Sequence, residues 1–203
     1  MKTAIFITVR TNSKRLPNKA LLEIQSIPTI VHLIRRMKKV QVDHIVLCTT
    51  LLKEDDILCD IASKEGIVFF RGSTKDKLGR WKGAAAKFGI DFFITADGDD
   101  LFYSIELIRL AINQYSLTEP DFIEHPEIIC GAFSYGIKVE ALNKVCEIKN
   151  SEDTEMMWTY FKDTGLFEVQ TLRNVPLSFI RSDIRMTLDY KDDLTFFQKV
   201  INY

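Results

Sequence analysis

Residues 3–9 read TAIFITV, and the loop that follows them, residues 10–19, reads RTNSKRLPNK. The first stretch is mostly apolar and rich in β-branched residues, which is typical of a strand buried on both faces of a parallel sheet. Similar runs recur at residues 44–49, 67–70 and 91–96. They alternate with segments whose apolar residues lie three and four positions apart, at residues 28–40, 55–64 and 77–88. This alternation predicts a three-layer α/β fold, with a mostly parallel sheet and helices on both faces.

The pattern is less regular in the second half of the chain. Residues 115–126 are predicted to form a connection. Helices are predicted at residues 139–148, 154–163 and 193–200, and strands at residues 167–172 and 185–188. No internal repeat, low-complexity tract or linker is visible in the sequence, so residues 1–203 are predicted to form one domain.

The composition narrows the class of protein. The formal net charge is −1, which does not favour nucleic acid or an anionic membrane as the main partner, so phosphate binding must come from local clusters of cations. The four cysteines form no CxxC pair, which argues against a zinc site or a disulfide framework. No apolar run approaches the roughly 18 residues of a membrane span, and reduced thiols fit the cytoplasm. A soluble, cytoplasmic protein is therefore expected.

The loop after the first strand is a candidate phosphate site. Ligands of open α/β sheets bind at the carboxyl ends of the strands, and this loop places four cations at such an end. Asn12 and Ser13 favour tight turns that expose backbone N–H groups, while arginine and lysine side chains can neutralise a triphosphate. The candidate nucleotide-binding residues of the loop are Arg10, Thr11, Asn12, Ser13, Arg15 and Lys19. A solvated basic loop is the alternative interpretation.

Two places in the sequence offer carboxylates for Mg²⁺, which prefers oxygen ligands and is commonly held by one or two carboxylates plus substrate phosphates. Asp99 lies in the acidic turn after the fourth strand, and Asp97 and Asp100 are second choices. Asp189 follows the strand predicted at residues 185–188. The alternative is an ordinary Asp-Gly turn that caps a helix beginning at Ser104.

Two further arginines are candidates for nucleotide binding. Arg71 and Arg80 lie near predicted boundaries of a strand and a helix at the ligand-binding edge, and a structural ion pair is the alternative for Arg80. The sequence contains no GxGxxG motif and no complete P-loop, so neither a dinucleotide site nor a P-loop is indicated. The three histidines are dispersed and lack a triad or HExxH context.

These stretches resemble the signatures of one family. Residues 10–19 are similar to the ARxxSxRLPGK signature of cytidylyltransferases that act on sialic acid, Kdo and spore-coat polysaccharide precursors, with Asn18 in the place of the usual glycine. Asp99 falls on the acidic residue of the family's GDxP turn, in which Leu101 replaces the proline. Residues 71–81 and 185–194 resemble the RGSxxDVLxRY and RxTVDxxEDL segments of the spore-coat polysaccharide branch.

The resemblance implies a Rossmann-like fold of the nucleotide-diphospho-sugar transferase type and a loop that embraces the triphosphate of CTP. It implies Mg²⁺-dependent transfer of CMP to an acidic sugar or a phosphorylated or phosphonate metabolite, with release of pyrophosphate, in surface glycan biosynthesis. Arg15, Lys19 and Asp99 are then the candidate catalytic residues, and Asp99 and Asp189 are the candidate metal ligands. A homodimer is expected as the commonest assembly. The alternatives are a nucleotide-sugar glycosyltransferase and a non-catalytic nucleotide-binding regulatory module.

Overall fold

The computed structural model describes residues 1–201, which form a central β-sheet between two layers of helices. The elements up to the middle of the chain are β1 (Thr3–Thr8), β2 (Glu23–Ile24), β3 (Ile27–Pro28), α1 (Thr29–Met37), β4 (His44–Thr50), α2 (Asp56–Lys64), β5 (Val68–Gly72), α3 (Lys77–Phe88) and β6 (Phe92–Asp97). They are followed by α4 (Ile105–Thr118), β7 (Phe122–Glu124), β8 (Gly136–Lys138), α5 (Val139–Ile148), α6 (Trp158–Lys162), β9 (Val169–Thr171) and α7 (Lys191–Ile201). No helix within residues 1–201 is long and apolar enough to cross a bilayer.

The sheet has seven strands in the order β5-β4-β1-β6-β8-β7-β9. Strands β5, β4, β1 and β6 run parallel, β8 pairs antiparallel with β6 and β7, and β7 is parallel to β9. Strands β2 and β3 form a separate hairpin. Because β8 is reversed, its first residue lies at the edge where β1, β4, β6 and β7 end. The predicted α/β fold with a mostly parallel sheet is confirmed.

Strand β1 shows why the sheet is covered on both faces. Ile5 and Ile7 are fully buried in a core that includes residues of α1, α2 and α4, whereas Ala4 and Phe6 are buried in a second core with residues of α3 and α5. Side chains alternate between the two faces of a strand, so a strand that is apolar at successive positions needs a helix layer on each side. Each large side chain buried in this way stabilises the fold by roughly 1.5–3 kcal/mol.

Helix α3 has the predicted bounds, and its first turn positions part of the site. The Asp76 side chain caps the helix by accepting a hydrogen bond from the Gly79 N–H at 2.9 Å, and Gly89 ends the helix with a φ of 65°. Asp76 also accepts hydrogen bonds from Lys149 and, at 3.1 Å, from the Thr154 hydroxyl. These contacts hold residues 149–157 against the start of α3.

Several details predicted for the second half are wrong. Residues 115–126 are not a connection throughout, because α4 continues to Thr118 and β7 begins at Phe122. Strands β7 and β8 were not predicted, and the helix predicted at residues 154–163 is limited to α6. Residues 185–188 make a single bridge, between Arg185 and Cys130, and no strand. Strands of three residues are too short to show a period, and pairing with neighbours in the fold decides where they form.

Residues 184–190, called here the C-terminal segment, cross the sheet edge beside the acidic turn. The Met186 N–H donates to the Cys130 carbonyl at 2.7 Å, and the Leu188 N–H donates to the Asp99 carbonyl at 2.9 Å. Gly131 has a φ of 90°, and a Cβ atom there would lie 2.5 Å from the Met186 carbonyl oxygen. Glycine therefore permits a backbone approach that other residues would block.

Candidate active site

A cavity of about 770 Å³ lies at the edge of the sheet where β1, β6 and β7 end. Much of its lining comes from residues 8–20, from the acidic turn after β6 and from residues 124–135. The lining is completed by Lys77 and Arg80 of α3, residues 155–158, Lys162, Thr187 and Asp189. The predicted phosphate loop and the predicted acidic turn therefore face one cavity, at the place where open α/β sheets bind ligands.

Four predicted site residues form a charged cluster in this cavity: Arg15, Lys19, Asp99 and Asp189. The Lys19 ammonium contacts the Asp99 carboxylate and lies 2.9 Å from Asp189 Oδ1. A guanidinium nitrogen of Arg15 lies 2.7 Å from the same Asp189 oxygen. Lys19 is 80 residues from Asp99 and 170 residues from Asp189 in the sequence, so the tertiary fold builds the cluster.

Asp189 is fixed by further contacts within the C-terminal segment and the start of α7. Arg185 lies 3.3 Å from Asp189 Oδ2, and its other terminal nitrogen lies 2.5 Å from the Asp193 carboxylate. Asp193 in turn accepts hydrogen bonds from the N–H groups of Asp189 and Tyr190, both at 2.8 Å. The side chain and the backbone of Asp189 are therefore both held in place.

The acidic turn concentrates negative charge in a buried place. Burial raises the pKa of the Asp99 carboxyl and Asp97 adds to this effect, while Lys19 opposes it. Burial, together with Asp99 and Asp97, raises the pKa of Asp100 well above its usual range. Burial lowers the pKa of Lys19, but Asp99 and Asp189 outweigh it, so the pKa is raised and the ammonium remains charged. A cation bound at this turn is thus electrostatically favoured.

The phosphate loop is shaped by Asp55, a buried carboxylate directly before α2. Its oxygens accept hydrogen bonds from the Thr11 N–H at 2.8 Å, the Thr11 hydroxyl at 2.7 Å and the Thr50 hydroxyl. The Ser13 and Asn18 N–H groups both donate to the Thr11 carbonyl, at 3.0 and 3.2 Å. Asn18 adopts a φ of 56°, a left-handed conformation that asparagine tolerates better than most residues. Thr11 is buried, and its hydrogen bonds fix the conformation of the loop.

Three other predicted residues of the loop face the cavity. Arg10, Asn12 and Ser13 belong to its lining, and a terminal nitrogen of Arg10 lies 3.9 Å from a carboxylate oxygen of Glu155. At this distance the pair is a loose one, and Arg10 is largely exposed to solvent. The three side chains are therefore placed to reach a ligand in the cavity.

Arg71 and Arg80 are placed differently from each other. The Arg71 guanidinium lies 2.6 Å from the Asp56 carboxylate and donates to the carbonyl groups of residues 50 and 52 at 2.8 and 2.7 Å. Arg71 is therefore held by protein groups and is not one of the residues that line the cavity. Arg80 lines the cavity and donates to the Ser73 carbonyl at 2.7 Å. Its Nε is buried without a hydrogen-bond partner among the described residues, and burial lowers the pKa of the guanidinium.

The cavity also contains charged residues that the sequence did not single out. Lys77 Nζ lies 3.0 Å from Asp97 Oδ1, and Lys162 lies 2.8 Å from Glu124. The position of Lys77, first in a helix that starts at the ligand-binding edge, is a signal that could have identified it. Lys162 and Glu124 are 38 residues apart and carry no local signal.

The carboxylates fit one kind of metal site. Within residues 1–201 there is no group of three or more His, Cys, Asp or Glu side chains that could hold a metal ion by itself. Asp99 and Asp189 provide two carboxylates, which suits Mg²⁺ when phosphate oxygens and waters complete its six ligands. The residues therefore fit a metal that is shared with a phosphate ligand.

Two solved structures share this fold. A cytidylyltransferase of Leptospira borgpetersenii superposes with a TM-score of 0.90 at 24% identity, covering 100% of this chain and 87% of that one. A CMP:2-keto-3-deoxy-manno-octonic acid synthetase complexed with CTP superposes with a TM-score of 0.75 at 14% identity, covering 100% and 99%. Both structures therefore have the fold of this chain.

Two related sequences align with this chain over nearly its whole length. An uncharacterised protein of Methanocaldococcus jannaschii is 32% identical over 200 residues, which cover 97% of this chain and 82% of the relative. The spore coat polysaccharide biosynthesis protein SpsF of Bacillus subtilis is 29% identical over 198 residues, which cover 92% and 81%. The model of the cytidylyltransferase family matches residues 4–196. The chain therefore belongs to the cytidylyltransferase family and is a CTP-dependent nucleotidyltransferase.

Proposed function

We propose that the protein transfers CMP from CTP to an acidic sugar or to a phosphorylated or phosphonate metabolite, and that it releases pyrophosphate. The observation that carries the proposal is the convergence of Arg15 and Lys19 on Asp99 and Asp189. Cations suited to a triphosphate lie within hydrogen-bond distance of carboxylates suited to a metal. Displacement at the α-phosphorus depends mainly on positioning and on neutralising the charge that develops, and this arrangement supplies both.

Arg15 and Lys19 are the residues that neutralise the leaving pyrophosphate in this proposal. The Arg15 side chain is 56% exposed, so its guanidinium can turn from Asp189 to a phosphate group and donate two hydrogen bonds. Negative charge grows on the pyrophosphate as the bond to the α-phosphorus breaks, so donors placed there lower the barrier. Arg10, Asn12 and Ser13 complete the proposed triphosphate site, and buried Thr11 supports the loop through its hydrogen bonds with Asp55.

Asp99 and Asp189 are the proposed ligands of Mg²⁺. When bound, the metal supplies charge stabilisation at the α-phosphate and orients the substrate oxygens. The chain holds the two carboxylates close to each other. The Asp99 carbonyl accepts a hydrogen bond from the Leu188 N–H at 2.9 Å, and Arg185 contacts the second oxygen of Asp189. The two ligands are therefore linked through the backbone as well as through Lys19.

The base, the acceptor and the biological setting rest on the relatives. The related synthetase complexed with CTP supports cytosine, and the relative named for spore coat polysaccharide biosynthesis supports a role in surface glycan synthesis. The cytoplasm is the proposed location, because it would keep the free cysteines reduced. The acceptor is assigned to the part of the cavity formed by residues 124–135, on the side of β6 away from the phosphate loop. A homodimer completes the proposal, and sedimentation equilibrium measures it.

The reaction is tested by incubating the protein with each of the four nucleoside triphosphates, Mg²⁺ and a panel of acidic sugars and phosphorylated or phosphonate metabolites. We expect release of pyrophosphate with CTP and with one class of acceptor, and we expect EDTA to abolish it. Consumption of an added nucleotide sugar without pyrophosphate release would indicate a glycosyltransferase instead. Binding of CTP without turnover across the panel would indicate a regulatory module.

Base selectivity is tested without turnover. With Mg²⁺ present, CTP should raise the melting temperature more than ATP, GTP or UTP does, because a ligand that binds the folded state stabilises it by mass action. Equal shifts with the four nucleotides would mean that the protein recognises the triphosphate alone. The cytidylyl part of the proposal would then be withdrawn.

A further inference from the structure

Lys19 bridges the two carboxylates that are proposed to hold the metal. Its ammonium contacts Asp99 and lies 2.9 Å from Asp189, and the three side chains are 14%, 20% and 9% exposed. Arg15 lies 2.7 Å from the same Asp189 oxygen. A compact positive charge thus stands within direct reach of both proposed metal ligands.

This position conflicts with a metal ion on the same oxygens. Mg²⁺ binds carboxylate oxygens at about 2.0–2.1 Å and requires near-ideal octahedral geometry. An ammonium that donates to both carboxylates occupies the directions in which a metal would bind, and its charge repels the metal. Lys19 and a divalent ion therefore compete for Asp99 and Asp189.

A triphosphate can relieve this competition. Lys19 has a flexible four-carbon stem, and phosphate oxygens in the cavity offer its ammonium an alternative partner of higher charge. The phosphate groups also supply the ligands that two carboxylates alone cannot provide to the metal. The same event thus removes the competing cation and completes the coordination shell.

We infer that Lys19 acts as a metal surrogate that blocks the divalent-ion site until a triphosphate draws it away, so that metal and nucleotide bind cooperatively. The inference rests on the proposed function, because it takes Asp99 and Asp189 as the metal ligands. Coupling of this kind is reciprocal: the factor by which the nucleotide strengthens metal binding equals the factor by which the metal strengthens nucleotide binding.

The test is a titration with Mn²⁺, followed by the loss of the electron paramagnetic resonance signal of the free ion. In the absence of nucleotide, Lys19→Met should bind Mn²⁺ about tenfold more tightly than the wild type, because the competing ion pairs are gone. Lys19→Gln serves as a second variant that keeps a polar side chain, and it should change the affinity in the same direction. Arg15→Met, which removes one of the two cations at Asp189 Oδ1 and leaves Lys19 in place, should give a smaller increase.

The coupling is measured by repeating the titration with saturating CTP. The wild type should bind Mn²⁺ much more tightly with CTP than without it, whereas Lys19→Met should show a smaller ratio between the two dissociation constants. After subtraction of the Mn²⁺ that free CTP binds, measured with CTP alone, the ratio isolates the surrogate role, because a loss of Mn²⁺ affinity that is equal with and without CTP would leave it unchanged.

Two controls show whether the gain in Mn²⁺ affinity depends on Lys19 and on Asp99. Lys14→Met removes the same charge from an exposed position in the same loop and should leave Mn²⁺ affinity without nucleotide within about twofold of the wild type. Adding Asp99→Asn to Lys19→Met should abolish the gain. If both Lys19 variants bind Mn²⁺ no more tightly than Lys14→Met, the inference is overturned. Because the titrations need no turnover, confirmed coupling in a protein that releases no pyrophosphate would remove the proposed reaction and leave the inference standing.

Discussion

Asp99 and Asp189 share a proposed role, but the charges around them differ. Burial and the neighbouring Asp97 carboxylate raise the free energy of the ionised form of Asp99, although Lys19 opposes this effect. Asp189 lies among three cations, Lys19, Arg15 and Arg185. Loss of the Asp99 charge therefore relieves repulsion, whereas loss of the Asp189 charge leaves three cations facing one another.

Replacement of either residue by asparagine should lower CMP transfer by on the order of 10²-fold or more, because the metal loses a charged ligand. Their stabilities should differ. The free energy of unfolding of Asp99→Asn should be higher than that of the wild type, or at most about 0.5 kcal/mol lower. That of Asp189→Asn should be about 1–2 kcal/mol lower than that of the wild type. Pyrophosphate release and urea unfolding are the two measurements.

A matched control for these variants is Asp192→Asn, an exposed acidic residue in the first turn of α7. It should change transfer by less than about twofold and stability by about 0.5 kcal/mol or less. Turnover near the wild-type value in Asp99→Asn or Asp189→Asn at saturating Mg²⁺ would exclude that residue from the metal site.

Arg15 is expected to act on the chemical step rather than on folding. Its side chain is more than half exposed and makes its ion pair with Asp189, so it can exchange this partner for a phosphate. Arg15→Ala should reduce kcat on the order of 10²–10³-fold, and Arg15→Lys should recover part of the loss, because an ammonium keeps the charge but not the two-pronged geometry. Steady-state kinetics measures both, with circular dichroism as the folding control. An alanine variant with unchanged kcat and a raised KM for CTP would show uniform binding instead.

At the scale of elements, Asp55 joins the loop after β1 to the end of β4. Burial by itself would raise the pKa of this carboxyl, but hydrogen bonds from the Thr11 N–H and from the Thr50 and Thr11 hydroxyls outweigh it, and the pKa is lowered. A carboxylate whose pKa is lower in the folded state stabilises the fold above the pKa of the unfolded chain. Asp55 thereby links the stability of the fold to the shape of the phosphate loop.

Asp55→Asn should destabilise the protein by about 1–3 kcal/mol at pH 7, because a buried charged acceptor is lost. The difference from the wild type should shrink as the pH falls below about 4, because the unfolded chain then takes up a proton that the folded carboxylate, with its lowered pKa, does not yet bind. Urea unfolding between pH 7 and pH 3 measures this. Asp56→Asn, which loses an exposed ion pair with Arg71, is the control and should cost less than about 1 kcal/mol at each pH. A difference for Asp55→Asn that stays constant down to pH 3 would contradict the lowered pKa.

The elements that could be predicted from the sequence are those that carry their own signals. Helix α3 has apolar residues on one face, an N-cap at Asp76 and a left-handed Gly89 after it, so its bounds agree with the prediction. Strand β8 is three residues long and pairs between two others, so tertiary pairing defines it. Residues 185–188 read RMTL and alternate polar and apolar residues, as a half-buried strand does, but backbone contacts with Cys130 and Asp99 replace a regular ladder.

The same distinction holds for the site. The loop at residues 10–19 and the acidic turn at Asp99 could be found locally, because each follows a strand at its carboxyl end. Lys19 bridges Asp99 and Asp189, which lie 80 and 170 residues away from it in the chain. A single sequence does not show that residues so far apart in the chain lie close together in space. The contacts of Arg71 with Asp56 and with backbone carbonyl groups likewise depend on the fold, so the sequence did not predict them.

At the scale of the whole molecule, one close backbone contact positions the end of the chain at the site. A Cβ atom at Gly131 would meet the Met186 carbonyl oxygen at 2.5 Å and the Asp100 carboxylate at 3.2 Å. The C-terminal segment would have to move away from the acidic turn to make room. Asp189, three residues farther along the chain, would move with it.

Gly131→Ala should therefore destabilise the protein by about 3 kcal/mol or more and reduce CMP transfer on the order of 10²-fold through displacement of Asp189. The control is Gly165→Ala. Gly165 also has a positive φ, 67°, but a Cβ atom there meets nothing within 4 Å, so the cost should be the backbone strain of about 1 kcal/mol with transfer unchanged. Thermal unfolding and pyrophosphate release distinguish the two variants. Equal effects would show that the contact with Met186 does not position the segment.

The late position of Asp189 in the chain has a consequence for biosynthesis. A protein emerges from the ribosome amino terminus first, and β1, β4, β5 and β6 are complete by residue 97. The phosphate loop and the acidic turn can thus form while residues 184–190 are still untranslated. A nascent chain, or one cut by a protease before residue 184, has one of the two proposed metal-binding carboxylates. Catalytic competence is therefore expected to require residues 184–190, and chains that lack them but retain the sheet are expected to be inactive towards CTP.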